Sequence, residues 1–272
     1  AEAQSLLDRC PALVAQLAAA GAAHDEELGR LAYMRGRLRE SRDRQAARDY
    51  YQQSLAAFQR SGSDWYCALL HGALGSVAWN LGEYEAAAAA HQQALAIRRR
   101  LQDTRGVAQA AMVLGLTRLY QGDFAQAEAL VTEGSALRRN FGDRLGIADS
   151  LRALGITRMA LGQFDEAAAL LREGVQMYID LGLRYGLEMA LLAAALLHLG
   201  DETGAQQWCG RGLAIARETG YRRALGYGLL VQGKMALLRQ QPQAAQPVLA
   251  ESLAIYQALQ QRDEIVRVLA MQ

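Results

Sequence analysis

Six alanines set the frame of this chain: Ala47, Ala87, Ala127, Ala167, Ala205 and Ala245 recur at spacings of 40, 40, 40, 38 and 40 residues. A fixed period of that length marks a repeat array, in which each unit stacks on its neighbours instead of closing around one central core. Small residues return in register around the anchors. Seven positions after them stand Ser54, Ala94, Gly134, Gly174, Gly212 and Ser252, and twelve positions before them Arg35, Gly75, Gly115, Gly155, Ala193 and Gly233. Only a small side chain fits where two helices approach closely, and overpacking such a place costs about 1–3 kcal/mol. The first unit departs from the pattern, with Arg35 in the glycine slot and Arg37, Arg39, Arg42 and Arg44 making its first helix and turn strongly basic.

Residues 103–142 show how one unit is written. Asp103 or Thr104 caps a helix whose apolar or small residues Ala108, Ala111, Met112, Gly115 and Leu119 fall at three- and four-residue steps, and Gly122 ends it. Asp123 caps a second helix with Phe124, Ala127, Leu130, Val131, Gly134 and Leu137 on its apolar face, stopped by Gly142. The chain therefore reads as all-α tandem helix hairpins. Six units fill 23–262, residues 1–22 are the second helix of an earlier unit, and 263–272 begin a further helix. On this reading 1–272 is a single domain cut from a larger protein. The last full unit has Gln240-Gln241-Pro242 in place of a glycine turn, and proline is tolerated in a first helical turn.

The stretches LGLTRLYQGDFAQAEAL (Leu114 to Leu130), LGITRMALGQFDEAAAL (Leu154 to Leu170) and LGSVAWNLGEYEAAAAA (Leu74 to Ala90) resemble the tetratricopeptide repeat. Leu114, Gly115, Gly122, Phe124 and Ala127 match its signature, although the period is about 40 where the family usually has thirty-four and the terminal proline is absent. Long helices joined by links such as Gly142 to Gly146 look like the subclass in bacterial STAND-type signalling ATPases and helix-turn-helix regulators. Similar long repeats occur in animal adaptors that bind peptides. The resemblance implies a right-handed superhelix with first helices on its concave side and second helices outside.

Composition excludes several functions. With 29 Lys and Arg against 28 Asp and Glu the net charge is +1, so no long-range field draws the chain to nucleic acid or an anionic membrane. No apolar run reaches spanning length, and Ala1 to Asp8 lack a basic leader, which suggests a cytoplasmic protein. Cys10, Cys67 and Cys209 lack paired spacing and read as buried reduced thiols. Gly228 to Lys234 imitates a phosphate loop, but Met235 replaces the Mg²⁺-binding Ser or Thr and Gly233 fills a packing slot. His24, His71, His91 and His198 lie in separate units, with His91 in a packing slot shared by Tyr51, Val131, Leu171, Cys209 and Leu249. Glu133, Glu173 and Glu251 share a solvated slot. Arg98 to Arg100, Arg138 and Arg139 suit helix C-termini; Arg118 and Arg158 recur forty residues apart and could stack as a ladder, although packed stems with exposed heads are the favoured reading. No enzyme, cofactor or metal site is expected.

What remains is recognition. Between the packing slots of the first helices runs a stripe of mixed polar and apolar residues: Ser76 and Asn80, Gln109, Met112, Leu116 and Tyr120, Asp149, Arg152 and Ile156, His198, Tyr227 and Lys234. Leu69, Ala160, Leu187, Ala194 and Leu238 complete it. Such a lining suits an extended peptide or a helix, with apolar pockets for affinity and polar groups for register. The expectation is a non-catalytic module binding protein, peptide or a small effector, serving as the sensor or scaffold of a larger bacterial signal-transducing or transcription-regulating ATPase. The alternative is a stand-alone adaptor. Other domains of the parent are possible occupants, and end-to-end self-association is expected of uncapped apolar ends.

Overall fold

In the computed structural model the described residues, 24–259 and 261–271, form thirteen helices and no strand. They are α1 (Asp25–Arg39), α2 (Arg44–Ser61), α3 (Asp64–Asn80), α4 (Tyr84–Arg100), α5 (Thr104–Tyr120), α6 (Phe124–Asn140), α7 (Arg144–Ala160), α8 (Phe164–Asp180), α9 (Gly186–His198), α10 (Glu202–Thr219), α11 (Arg222–Leu238), α12 (Pro242–Ala258) and α13 (Arg262–Leu269). Consecutive helices pair as antiparallel hairpins. The chain divides into two compact units, one ending at Gly134 and the other beginning at Ser135. Cys10 and the helix expected over 1–22 fall outside the described residues.

The caps follow from the sequence. Asp103, Asp123, Asp143 and Asp201 each accept a hydrogen bond from the backbone N–H three residues on, as Asp43 does at α2. Each such cap is worth about 1 kcal/mol. At the other end of α5, Gly122 turns left-handed at φ 80°, and the Gly122 and Asp123 amides close on the carbonyls of Leu119 and Arg118. Gln102 and Gln240 adopt the same left-handed turn without glycine, a conformation costing about 1–2 kcal/mol for a residue with a Cβ.

All six anchor alanines are at most 1% exposed. Ser54, Gly134, Gly174, Gly212 and Ser252, each seven residues after its anchor, face a first-helix carbonyl. A Cβ on Gly134 would stand 2.9 Å from the Ala108 oxygen, and one on Gly212 2.7 Å from the Gly186 oxygen. Ser54 and Ser252 use the same approach chemically, donating to the carbonyls of Gly29 and Gly226. The first-helix glycines make room for the large residue four positions after the anchor: Gly75 for His91, Gly115 for Val131, Gly155 for Leu171 and Gly233 for Leu249. In the first hairpin this partner is Gly36, which faces Tyr51, and not Arg35. Helix α1 ends three residues beyond that glycine and α3 ends five residues beyond Gly75, so the first hairpin turns early and its register moves by one.

A second repeated device joins successive hairpins. Arg98, near the end of α4, pairs with Asp103, whose other oxygen caps α5 at the Gly106 amide. Forty residues on, Arg138 lies 4.0 Å from Asp143 and donates to the Gly146 carbonyl at 2.7 Å, while Asp143 caps α7 at Gly146. The helix dipole explains why arginine is favourable at these ends. The more specific finding is that Arg98 and Arg138 are largely buried and tied to the next helix, and a Cβ on either glycine would meet the carboxylate and the guanidinium stem.

Candidate functional site

The hairpins up to Gly134 enclose a cavity of about 720 Å³ on the faces of α1, α3 and α5. Its room comes from small residues, Ala68, Gly72 and Ala73 on α3, Ala94 on α4, and Gly106 and Ala110 on α5. Its polar wall comes from Tyr33 and Arg37 of α1, Glu40, Trp65 of α3, Arg98, Arg105 and Gln109. Arg37 donates to the Tyr33 hydroxyl at 3.1 Å and lies over that ring, and this hydrogen bond raises its pKa. The Arg98 guanidinium lies 5.1 Å from the centre of the Trp65 ring.

Every acid on this wall has an occupation. Tyr51 donates to Glu40 at 2.7 Å, and burial together with that carboxylate raises the phenol's pKa. Burial would raise Asp103, but the Gly106 amide and Arg98 outweigh it and hold the carboxyl below its ordinary value. His91 forms part of the floor. It is 2% exposed, burial pushes its pKa down to about 4, and its Nδ1 has no hydrogen-bond partner.

The stripe read from the sequence falls into clusters. Ser76 and Gln109 line the cavity. Asn80, exposed, donates to the Ser76 carbonyl at 2.9 Å, so its amide is held along the helix. Tyr120 joins Trp79 (5.4 Å, edge-on) and Tyr84 (5.7 Å, stacked) in an aromatic group. Leu116 is half-buried. Met112, read as lying at the edge of the stripe, is 5% exposed and packs in the hairpin core on the apolar face of α5 with Ala108 and Ala111, which corrects its assignment to partner contact.

From Ser135 on, Asp149 accepts a hydrogen bond from Tyr178 at 2.6 Å. Arg152 lies 3.5 Å from Glu188, a residue the sequence reading missed. Glu188 is 8% exposed, its Oε2 has no partner, and burial raises its pKa against the opposing pull of Arg152. Burial alone would lower the Arg152 pKa, but Glu188 and the Tyr178–Asp149 pair raise it. Ile156, Leu187, Ala194 and Tyr227 are partly buried against the core, and Ala160 and Leu238 are exposed. His198 stacks on Phe164 at 4.1 Å and accepts a hydrogen bond from Lys234 at 2.8 Å.

Tyr33, Arg37 and Trp65 also escaped the sequence reading. The first two stood in the irregular unit, and the signal available was their spacing of four on one helix. Arg118 and Arg158 do not need a ladder to hold them. Arg118 donates to Gln121 and Gln92, and Arg158 to Gln163 with Glu166 at 3.0 Å.

Gly228 to Lys234 lies inside α11. A Cβ on Gly228 would meet Leu213 and one on Gly233 Leu249, so these glycines serve packing. Cys67 and Cys209 are buried free thiols, and burial pushes the Cys209 thiol up to about 11. Among the described residues no group of three metal-ligating side chains occurs, and no helix is long and apolar enough to cross a membrane.

Two overlapping stretches, residues 65–140 and 106–180, match the family model described as tetratricopeptide repeat, so residues 65–180 carry these repeats. No curated protein matches the sequence. Among solved structures, aspartyl phosphate phosphatase F from Bacillus subtilis is similar with a TM-score of 0.71 at 11% identity, over 92% of this chain and 69% of that one. The Rap conjugation gene regulator of plasmid pLS20, in complex with the Phr* peptide, matches with a TM-score of 0.69 at 15% identity, over 89% and 72% of the two chains. The kinesin light chain TPR-like repeats of Podosopora anserina match with a TM-score of 0.56 at 20% identity, over 72% and 98%. At these identities the likeness is one of fold.

Proposed function

We propose that the chain is a non-catalytic peptide-binding module whose ligand lies along the faces of the first helices, beginning in the cavity lined by α1, α3 and α5. The observation that carries this reading is the lining itself. A roomy, small-residue floor meets Tyr33, Trp65 and three arginines at the wall, and a volume of about 720 Å³ falls in the range of pockets that hold ligands. The similar fold of a Rap regulator solved with a peptide supports the ligand class. Beyond the cavity, Asn80, Leu116 and Tyr120 are assigned to partner contact in the unit ending at Gly134; Asp149, Arg152 and Ile156 are assigned separately within the unit beginning at Ser135. Tyr120 is the anchor and Asn80 sets register.

In this reading the module is the sensor or scaffold of a larger bacterial signalling protein of the STAND ATPase kind. Ligand occupancy changes its output by binding one of two states more tightly. The expectation for a stand-alone adaptor is binding without a change in any attached activity.

The test is selection of short peptides from a random display library against the full chain, followed by titration with Trp65 fluorescence as the readout. Trp65→Phe in the absence of other changes identifies the reporting ring. Tyr33→Ala and Tyr120→Ala are expected to weaken binding by about 2 kcal/mol each, as for aromatic anchors generally, and Asn80→Ala by less. Glu173→Ala and Glu251→Ala, exposed on second helices, are expected to leave it unchanged. Loss of binding in the glutamate variants with retention in the aromatic ones puts the ligand on the second-helix face and ends the proposal.

A further inference from the structure

Lys234 is the only lysine among the 29 Lys and Arg residues of the chain. Everywhere else this sequence answers the need for a cation with arginine, whose guanidinium stays protonated and is no nucleophile; lysine is the one basic side chain that can present a free amine near neutral pH. Its surroundings suit that use. Lys234 sits on α11, partly buried, with Nζ 2.8 Å from His198 Nε2. Its partner is therefore an imidazole and not a carboxylate, and no ion pair to Lys234 occurs among the described residues. The imidazole is fixed in turn by parallel stacking on Phe164 (4.1 Å, 3° between planes) and stays exposed at the end of α9. Charged groups on neighbouring helices are engaged elsewhere, Glu202 of α10 by Arg239 just past the end of α11, and Glu166 of α8 by Arg158 of α7.

We propose that Lys234 is an acylation site, a nucleophilic ε-amine that takes an acyl group from a small activated donor, an acyl phosphate or an acyl thioester, with His198 as the proton acceptor. The Nζ lone pair attacks the donor carbonyl. A C–N bond forms, the C–O bond to phosphate or the C–S bond to thiolate breaks, and the proton shed by nitrogen passes to His198 Nε2 and from there to the leaving group or solvent. The products are an amide on Lys234 and free phosphate or thiol. Burial lowers the pKa of the amine, and burial with the neighbouring ammonium lowers that of the imidazole, which keeps His198 in its proton-accepting form. Acylation turns the basic amine on the first-helix face into a neutral amide, so the modified and unmodified surfaces present different chemistry to a ligand. None of this depends on peptide binding elsewhere.

The experiment uses the full chain carrying Arg217→Lys, which supplies an ordinary amine at an exposed position of α10 as an internal reference. The protein is incubated with acetyl phosphate in one arm and acetyl coenzyme A in the other, at neutral pH, and each lysine is followed by peptide mass spectrometry. Lys234 is expected to react at least about tenfold faster than the reference amine in one arm or both, because a proton acceptor already stands at its Nζ. His198→Phe, which keeps an aromatic ring on Phe164 but has no acceptor, is expected to bring the two rates together, with an unchanged circular dichroism melt showing that the fold is intact. Equal rates in the parent, no reaction with either donor, or a Lys234 rate that His198→Phe leaves unaltered overturns the proposal.

Discussion

The unit ending at Gly134 buries His91 and the unit beginning at Ser135 buries Glu188, each in a slot that sister repeats fill otherwise, and acid acts on the two in opposite directions. His91 stands where other hairpins have Val131, Leu171 or Leu249; Glu188 stands where they have Leu70, Ala110 and Ser150. Both leave one atom without a partner, His91 Nδ1 and Glu188 Oε2. They differ in company. His91 is buried as a neutral ring with no counter-charge, whereas Glu188 has Arg152. The folded His91 pKa lies below its ordinary value, so its contribution is present above about pH 6.5 and is lost as pH falls toward about 4. The folded Glu188 pKa lies above its ordinary value, so its charged form weighs against folding at neutral pH and that burden lifts as pH falls through the folded value. The lesson is that a repeat slot fixes size and burial but not polarity, and that the charge admitted depends on what the adjoining helix supplies.

The largest effect is expected from breaking the second of these regions. Arg152→Met leaves Glu188 buried without its counter-ion and should cost about 3–5 kcal/mol in urea unfolding at pH 7. Adding Glu188→Leu should recover the parent's stability or exceed it, since apolar replacements of a buried pair are often neutral or stabilising. A single variant as stable as the parent shows that the pair holds nothing, and the contrast between the two regions disappears.

Next in size is the histidine. Between pH 6.5 and about 4 the parent should lose up to about 3 kcal/mol through His91, and His91→Leu should abolish that loss while keeping the fold, because Leu171 already occupies the equivalent place against Gly155. Stability curves against pH that remain parallel in parent and variant assign the acid response elsewhere.

The smallest expected effect compares the same slot in the two regions. A Cβ on Gly134 meets the Ala108 carbonyl at 2.9 Å, but on Gly174 the Ala148 carbonyl lies 3.5 Å away. Gly134→Ala should therefore destabilise by about 1–3 kcal/mol. Gly174→Ala should be neutral or gain up to about 1 kcal/mol from helix propensity. Hydrogen exchange across α5 to α8 reads both, and equal effects would mean that the close approach is not tighter in the first region.

Most of the fold was legible because it is written in local spacing. The anchors, the aspartate caps and the glycine turns each act within a few residues, and the period multiplied the signal. The register of the first hairpin was misread by one residue because Arg35 was placed by counting back from Ala47, while the early turn after α1 moved the packing glycine to Gly36. The candidate site was legible only in part. Alternation along α3 and α5 pointed to Ser76 and Gln109, but Tyr33, Trp65 and the Trp79–Tyr84–Tyr120 group depend on how one hairpin leans on the next, and no period contains that angle. Glu188 could have been found by aligning its slot with Leu70 and Ala110. It was passed over because an isolated acid on a helix ordinarily faces water.

The arginine–aspartate–glycine joints bear on how long such a chain can be. If residues 103–142 were deleted, Arg98 would stand five positions before Asp143 and eight before Gly146, the spacing that Arg138 has now, and α7 would start from a complete cap with its guanidinium in place. One hairpin could leave, or be copied, and the seam would carry no scar. Deletion of 143–182 would instead bring Arg138 up to Leu183, and α9, whose first turn has no side-chain cap, offers no carboxylate to receive it. Gain and loss of hairpins is therefore silent at one seam and costly at the next, and lineages that vary in length should vary there first.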